Sequence, residues 1–280
     1  LKQLAETDAL DREVLVYITV PAATTGPRKD LLAHLADENA PIDPKQNRFC
    51  THYLEHPEWD QILGSINGSI LANPASKVKV IFVPTYLNGN DGIFDKSYYE
   101  LLVGMDMTLF PSYYEPWGYT PLESTAFSVP TLTTTLAGFG LWAGSQGEHE
   151  GVVLVARNDD NYAEAAHEIA KSLLHFTKYT PQEIKIARSA AAELSRTALW
   201  SELFAAYETA YSKAIERSVT RTNRAVLDDG GGATEQINFV RQQLITEKPH
   251  WNRVMVEKVL PKRLHALEVL SHNLWWSWTS

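Results

Sequence analysis

Short apolar segments alternate with segments of helical spacing along the first half of the chain. The apolar segments are rich in β-branched residues or end at turn residues, and they predict strands over 14–20, 78–83, 106–110, 131–134 and 151–156. Helical spacing between them predicts helices over about 28–39, 57–71, 96–104 and 121–128. This order favours an α/β fold with a doubly wound parallel sheet. We expect residues 12–160 to form one such sheet, whose strand ends near Val83 and Phe110 open onto a single cleft.

The pattern becomes helical after the last predicted strand. Three helical segments begin near Asn161, Pro181 and Trp200, and they complete a first domain over residues 1–220. Residues 221–235 are predicted as a Gly-rich linker, because three consecutive glycines are costly to order. Residues 236–280 are predicted as the start of a following module, which ends in an amphipathic helix.

Composition narrows the function classes. The formal charge of −9 argues against a general nucleic-acid binder, since such proteins neutralise phosphates with basic patches. No apolar run is long enough to span a bilayer, so we expect no membrane partner. The single cysteine, Cys50, fits a reducing cytosol and predicts a cytoplasmic protein. The sequence begins without Met, which suggests a piece of a longer chain.

The segment from 110 to 140 carries the strongest chemical signal. Two carboxylates, Glu115 and Glu123, flank a glycine-containing loop that follows a predicted strand. Thr120 is predicted as the N-cap of the next helix, with Pro121 at the first helical position and Glu123 closing a capping box. A helix start at the carboxyl end of a parallel strand is a ready phosphate site. The alternative is that Glu123 only caps its helix.

The nine residues from Glu115 to Glu123 (EPWGYTPLE) resemble the nucleotide-sugar site of glycogen synthases. The eukaryotic-type enzymes and their bacterial relatives carry an E-P-W-G-Y-T-P-x-E segment, and the similarity covers roughly residues 12–215. Upstream it includes the segments 14–22 (VLVYITVPA), 50–54 (CTHYL), 78–90 (VKVIFVPTYLNGN) and 95–100 (DKSYYE). The resemblance implies the Rossmann-like, nucleotide-binding half of a GT-B glycosyltransferase, followed by C-terminal helices.

The resemblance also implies roles for individual residues. Glu115 is the catalytic carboxylate beside the transferred glucose, and Glu123 binds the ribose of the nucleotide. The remaining residues of the implied nucleotide-sugar site are Tyr98, Trp117, Gly118, Tyr119 and Thr120. The last three offer main-chain N–H groups to the diphosphate.

Two of these assignments have alternatives. Tyr98 matches the aromatic residue that stacks on the base, but it could equally be a core tyrosine, and Tyr99 beside it is a second candidate. Trp117 is expected to pack the loop and fix Glu115 rather than to touch substrate.

The end of the chain resembles a different family. Residues 264–278 (LHALEVLSHNLWWSW) are similar to the first helix of bacterial α-glucan phosphorylases. This implies a fusion of a synthase-like half with a phosphorylase, whose pyridoxal phosphate would belong only to the downstream part. The alternative is that Trp275, Trp276 and Trp278 pack this chain's own C-terminal helix.

Three function classes remain open. The first is a fragment of a retaining glucosyltransferase that extends α-1,4-glucan from a nucleotide sugar, with UDP-glucose favoured over ADP-glucose and no cofactor. The Arg and Lys of the family's G-R-x-E-x-x-x-K-G segment, and the acceptor-side domain for the α-glucan, are not found in the chain, so we expect the fragment to be inactive alone. The second class is a glycan- or nucleotide-binding module that regulates a phosphorylase, and the third is a phosphorylase proper. The oligomeric state stays open.

Two weaker motifs point to other chemistry. His52 and His56 stand four residues apart, but Pro57 follows and no third ligand is evident, so we predict no metal site. Residues 138–144 (GFGLWAG) loosely match a dinucleotide fingerprint, without the acidic residue at the usual distance. We interpret them as a flexible turn after the strand 131–134, and a dehydrogenase is not favoured.

Overall fold

The computed structural model describes residues 1–228, with side chains to residue 221. The chain divides into two units, residues 1–202 and 203–280. The first unit contains, in chain order, α1 (Lys2–Glu6), β1 (Val14–Ile18), β2 (Thr24–Pro27), α2 (Lys29–Ala36), β3 (His52–Leu54), α3 (Gln61–Asn67), a 3-10 turn (Ile70–Ala72), β4 (Val78–Phe82), α4 (Tyr98–Leu102), β5 (Thr108–Leu109), α5 (Tyr119–Ala126), β6 (Thr131–Thr134), α6 (Gly138–Ser145), β7 (Val152–Val155), α7 (Tyr162–Phe176) and α8 (Pro181–Arg196). The described part of the second unit is helical and belongs to α9 (Trp200–Asp228).

The strands form three sheets within the described residues. β1 and β4 pair in parallel, and β5, β6 and β7 form a parallel sheet with β6 in the centre. β2 and β3, which the sequence did not predict, pair antiparallel. The parallel α/β class is therefore confirmed.

The expectation of one continuous sheet is wrong, because β4 and β5 lie in different sheets. β5 has only two residues, and it pairs with β6 in parallel. The two sheets still share apolar packing: Leu109 of β5 packs against the buried cluster that contains Val78 and Val80 of β4. The two strands thus contribute to one core, but not to one ladder.

The sheet of β5, β6 and β7 has helices on both faces. On one face, Leu132 and Val155 pack against Ala165 of α7. On the other face, Val152 packs against a cluster of α6 and α8 that contains Phe139 and Leu194. The change of face between neighbouring positions of β7 follows from the two-residue period of a strand. This part of the chain is doubly wound, as predicted.

A buried polar network joins α5 to this sheet. The hydroxyl oxygens of Thr108 and Ser124 lie 2.6 Å apart, and that of Thr108 lies 2.9 Å from that of Thr131. The Thr131 hydroxyl also lies 2.9 Å from Ser124 and 3.0 Å from the carbonyl of Val129. Buried hydroxyls with several partners fix the elements that carry them. The network therefore sets the position of α5 on β5 and β6.

Several predicted boundaries differ from the structure. The helix predicted over about 28–39 is shorter, since α2 spans Lys29–Ala36, and Pro27 just before it ends β2. Residues 138–144, expected as a flexible turn, lie in helix α6. Residues 221–228 of the predicted linker are helical, because α9 continues to Asp228. The rest of the linker and the predicted module 236–280 lie outside the described residues. Up to residue 228, no helix is both long and apolar enough to cross a membrane.

Candidate functional site

The loop between β5 and α5, residues 111–117, carries Glu115 and is called the Glu115 loop below. Its second half is bound to the start of α6 by backbone hydrogen bonds. The N–H of Glu115 donates to the carbonyl of Leu136 at 3.1 Å, and the N–H of Gly138 donates to the carbonyl of Glu115 at 3.0 Å. The N–H of Phe139 donates to the carbonyl of Trp117 at 2.5 Å. The carboxylate of Glu115 is exposed and has no hydrogen-bond or ion-pair partner among the described residues, so it is available to a ligand.

Two glycines allow this close packing. A Cβ on Gly138 would lie 2.2 Å from the carbonyl oxygen of Pro116, and it would also crowd the Cα of Trp117. Gly118 has a φ of +99°, a left-handed conformation that favours glycine. A Cβ there would lie 3.3 Å from Cγ of Glu115. The loop can therefore lie against both helices only with glycine at these two positions.

Helix α5 begins earlier than the sequence predicted. Gly118 is its N-cap residue, and no side chain makes a capping hydrogen bond. The predicted capping box of Thr120 and Glu123 is therefore wrong. The left-handed turn at Gly118 starts the helix at Tyr119, so Glu123 lies beyond the first turn. The first N–H groups of a helix have no acceptor within it, and Tyr119 and Thr120 are exposed. The helix start thus offers main-chain donors and positive dipole character to an anion.

The carboxylate of Glu123 faces α4. Its charge is the main cause that raises the pKa of the Tyr99 hydroxyl, with a smaller hydrogen-bond contribution. Burial raises the pKa of Tyr98, and the charge of Glu123 raises it further. The structure thus brings the predicted base residue and the predicted ribose residue together. Glu123 makes no capping bond, so the alternative that it only caps its helix is wrong.

Tyr99, the second candidate for the base-stacking residue, lies at the surface near Glu123. Its ring stacks on Phe127 with 5.0 Å between the ring centres and 14° between the planes. It also meets Tyr98 edge-on at 5.4 Å. The sequence shows two adjacent tyrosines and does not distinguish their surroundings. In the structure, Tyr98 is half-buried, whereas Tyr99 is exposed and lies beside Glu123.

Trp117 lies in an aromatic cluster beneath the Glu115 loop. Its ring centre is 6.3 Å from that of Phe139 and 5.8 Å from that of Trp142. Leu194 of α8 is buried in the same cluster. The indole therefore packs the loop onto α6 and α8.

Sequence reasoning missed a polar group beyond β7. Arg157 donates from Nη1 to the carbonyl of Pro111 at 2.5 Å, and its guanidinium lies 5.0 Å from the ring centre of Tyr113. The hydroxyl of Tyr113 donates to Asp159 at 2.6 Å, and this bond raises the pKa of the tyrosine. The position of Arg157 just after a predicted strand was the only signal in the sequence.

The two weaker motifs have structural roles. His52 is buried, with Nδ1 at 2.9 Å from the Thr51 hydroxyl and Nε2 at 2.9 Å from the carbonyl of Asp91, whereas His56 is exposed. Among residues 1–221, whose side chains the structure describes, no group of three or more His, Cys, Asp or Glu could hold a metal. The first N–H groups of α6 donate to the Glu115 loop, so the loosely matching glycine segment does not offer them to a dinucleotide.

The family comparison gives this geometry a context. The model of the family described as glycogen synthase matches residues 35–265. The chain belongs to the glycogen synthase family. The match covers the Glu115 loop, α4 and α5, and it continues past the predicted linker. The resemblance of EPWGYTPLE to this family is thereby confirmed at the level of the family.

Curated relatives of this family match a shorter stretch. The glycogen [starch] synthase of Caenorhabditis elegans is 31% identical over 187 residues, which is 65% of this chain and 28% of that protein. Isoform 2 of Saccharomyces cerevisiae is 34% identical over 173 residues, which is 60% of this chain and 24% of that protein. The human liver protein is 31% identical over 175 residues, with the same two shares of 60% and 24%. The chain thus spans about a quarter of the length of the curated relatives that it matches.

Proposed function

We propose that this chain is the nucleotide-sugar-binding half of a retaining glucosyltransferase that extends α-1,4-glucan. The observation that carries the proposal is that one loop and helix hold an unpaired carboxylate (Glu115), open main-chain donors (Tyr119 and Thr120) and a second carboxylate (Glu123) beside Tyr98. Family membership supports it, since the curated relatives are named glycogen [starch] synthases.

The proposed chemistry follows from the charges of glycosyl transfer. Breaking the bond between sugar and diphosphate develops negative charge on the leaving group and positive charge on the sugar. The N–H groups of Tyr119 and Thr120, with the hydroxyl of Thr120, would stabilise the diphosphate. Glu115, across Gly118 from this helix start, would stabilise the sugar. Interactions that strengthen as the bond breaks are the ones that accelerate transfer.

The nucleotide would extend from the helix start towards α4. A carboxylate accepts hydrogen bonds from both vicinal hydroxyls of a ribose, which is the role proposed for Glu123. Tyr98 would stack on the base. We propose UDP-glucose rather than ADP-glucose as the donor, a choice that rests on the resemblance to the eukaryotic-type enzymes.

The proposal includes a division of labour with the rest of the protein. The α-glucan acceptor would bind to a first Rossmann-like domain, and the Arg and Lys that neutralise the diphosphate would lie on a segment that opens the nucleotide-binding domain. The 280-residue chain alone would therefore be inactive. A cytoplasmic location is proposed from the single cysteine.

A second candidate function concerns the end of the chain. The phosphorylase-like segment 264–278 favours a fusion in which this chain is a regulatory, nucleotide- or glycan-binding module of an α-glucan phosphorylase. The unpaired Glu115 argues for the first candidate, because a binding module has no need of a sugar-side carboxylate.

Calorimetric titration of the chain with UDP, UDP-glucose and ADP-glucose tests the proposal. With only part of the diphosphate donors present, we expect millimolar affinity for UDP, equivalent to about 4 kcal/mol. Glu123→Ala should weaken UDP binding further. Glu193→Ala, which removes an exposed carboxylate from α8, is the matched control and should not. Equal UDP affinity in both variants would refute the ribose role of Glu123.

A further inference from the structure

One guanidinium holds the first half of the Glu115 loop. Arg157 donates to the Pro111 carbonyl at 2.5 Å, and the same group lies 5.0 Å from the ring centre of Tyr113. A hydrogen bond from a charged donor is worth more than a neutral one, and a cation near an aromatic face adds attraction. Arg157 therefore binds both the backbone and a ring of the loop that carries Glu115.

Arg157 is itself fixed to the end of β6. Its N–H donates to the hydroxyl oxygen of Thr135 at 2.9 Å, and that hydroxyl donates to the Arg157 carbonyl at 3.1 Å. The N–H of Thr135 donates to Val155 of β7 at 3.0 Å. The guanidinium thus acts from a backbone that two neighbouring strands hold in place.

The position of Glu115 depends on such support. Its carboxylate has no partner among the described residues, so no side-chain contact holds it, and the loop backbone sets the point from which the side chain extends. The start of α6 holds the second half of the loop. The first half has the contacts of Arg157, the hydrogen bond from the Tyr113 hydroxyl to Asp159 at 2.6 Å, and one bond from the hydroxyl of Thr134 to the carbonyl of Ser112, also at 2.6 Å.

We propose that Arg157 is a positioning residue for Glu115: by holding Pro111 and Tyr113 against the end of the sheet, it sets the place of the Glu115 carboxylate beside the transferred sugar. This inference rests on the proposed glucosyl transfer. Its physical basis is that a displacement of about 1 Å at a reacting group can lower the rate of reaction by roughly 10²-fold.

The hydrogen exchange of the 280-residue chain tests the contact without any activity. Arg157→Met keeps a long side chain and removes the donor and the charge. We expect the amide of Glu115 to exchange roughly tenfold faster, as for the loss of one charge-assisted hydrogen bond. Arg188→Met is the matched control. Like Arg157, Arg188 of α8 donates from its guanidinium to backbone carbonyls, in its case those of Ser128 and Met105, which lie outside this loop. It should leave the exchange of Glu115 unchanged.

The kinetics of glucosyl transfer by the full-length protein test whether the position of Glu115 affects the rate of transfer. Arg157→Met should lower kcat by roughly 10- to 10²-fold with the KM for nucleotide-glucose changed far less, and Arg157→Lys should recover part of the loss. If Arg157 acts through Glu115, adding Arg157→Met to Glu115→Gln should lower kcat little further.

The outcomes of these experiments distinguish the positioning role of Arg157 from the proposed glucosyl transfer. Unchanged exchange in Arg157→Met, or kcat losses that simply multiply in the double variant, would overturn the positioning role. Faster exchange of Glu115 in a full-length protein that transfers no glucose would instead support the contact and overturn the proposed function.

Discussion

Gly138 offers the sharpest test of how the Glu115 loop is held. Its φ lies outside the left-handed region, so alanine fits the backbone, and only the contact opposes the change. The new Cβ would lie 2.2 Å from the carbonyl oxygen of Pro116 and 3.1 Å from the Cα of Trp117. An ordinary contact needs a retreat of about 1 Å, and both neighbours are backbone. The loop itself must therefore move.

The expected cost follows from this displacement. Overpacking of this kind destabilises by about 1–3 kcal/mol, partly offset by the better helix propensity of alanine. Gly64→Ala is the matched control: Gly64 is also helical, in α3, but a Cβ there meets nothing within 4 Å. We expect it to raise the free energy of unfolding by about 1 kcal/mol.

Urea denaturation of both variants measures the free energy of unfolding, and glucosyl transfer by the full-length protein measures the displacement of Glu115. We expect Gly138→Ala to be less stable and to have a kcat about 10²-fold lower, and we expect Gly64→Ala to retain full activity. A Gly138→Ala protein that is as stable and as active as Gly64→Ala would refute the packing argument.

Three further predictions concern buried or partly buried side chains. Thr131 and Thr133 are both fully buried in β6, but of the two only the Thr133 hydroxyl lacks a partner among the described residues. In urea denaturation, Thr133→Val should therefore be neutral or stabilising, whereas Thr131→Val should lower the free energy of unfolding by about 1–3 kcal/mol. Burial raises the pKa of the Cys50 thiol, so iodoacetamide at mildly alkaline pH should alkylate it much more slowly in the folded chain than in urea; equal rates would contradict this. The hydrogen-bonded guanidinium of Arg28 lowers the pKa of Asp30 to about 2 from 3.8. The carboxylate therefore contributes about 1–2 kcal/mol to the free energy of unfolding above about pH 4, and this contribution is lost as the pH falls towards 2. Asp30→Asn should remove that part of the acid dependence, measured by urea denaturation across this range.

The parallel strands could be predicted from the sequence because each is a short run rich in apolar or β-branched residues. The strand 131–134 was predicted with its observed bounds, and the strand from Val78 was placed within one residue. The two-residue strand β5 is too short for its sheet partner to be inferred, which is why the expectation of one continuous sheet failed.

The site was partly predictable. The Glu115 and Glu123 pair was evident from a rare motif, but the motif could not show that Gly118 adopts a positive φ and starts α5 early. Because α5 starts early, Glu123 does not cap the helix, and its carboxylate interacts with Tyr99 of α4 instead. The contact of Arg157 with Pro111 joins residues 46 apart in sequence, and no local pattern indicates such a pair.

The central claim is that Glu115 acts on the sugar during transfer and not on the nucleotide in binding. The direct measurement is glucosyl transfer from UDP-glucose onto an oligoglucan by the full-length protein and its Glu115→Gln variant, with UDP affinity measured in parallel. We predict normal folding, near-normal UDP affinity and transfer reduced by roughly 10²-fold or more, because the variant keeps the shape of the side chain and removes its charge. A full-length protein with intact Glu115 that transfers glucose from no nucleotide-glucose, or a Glu115→Gln variant with full transfer activity, would contradict the account.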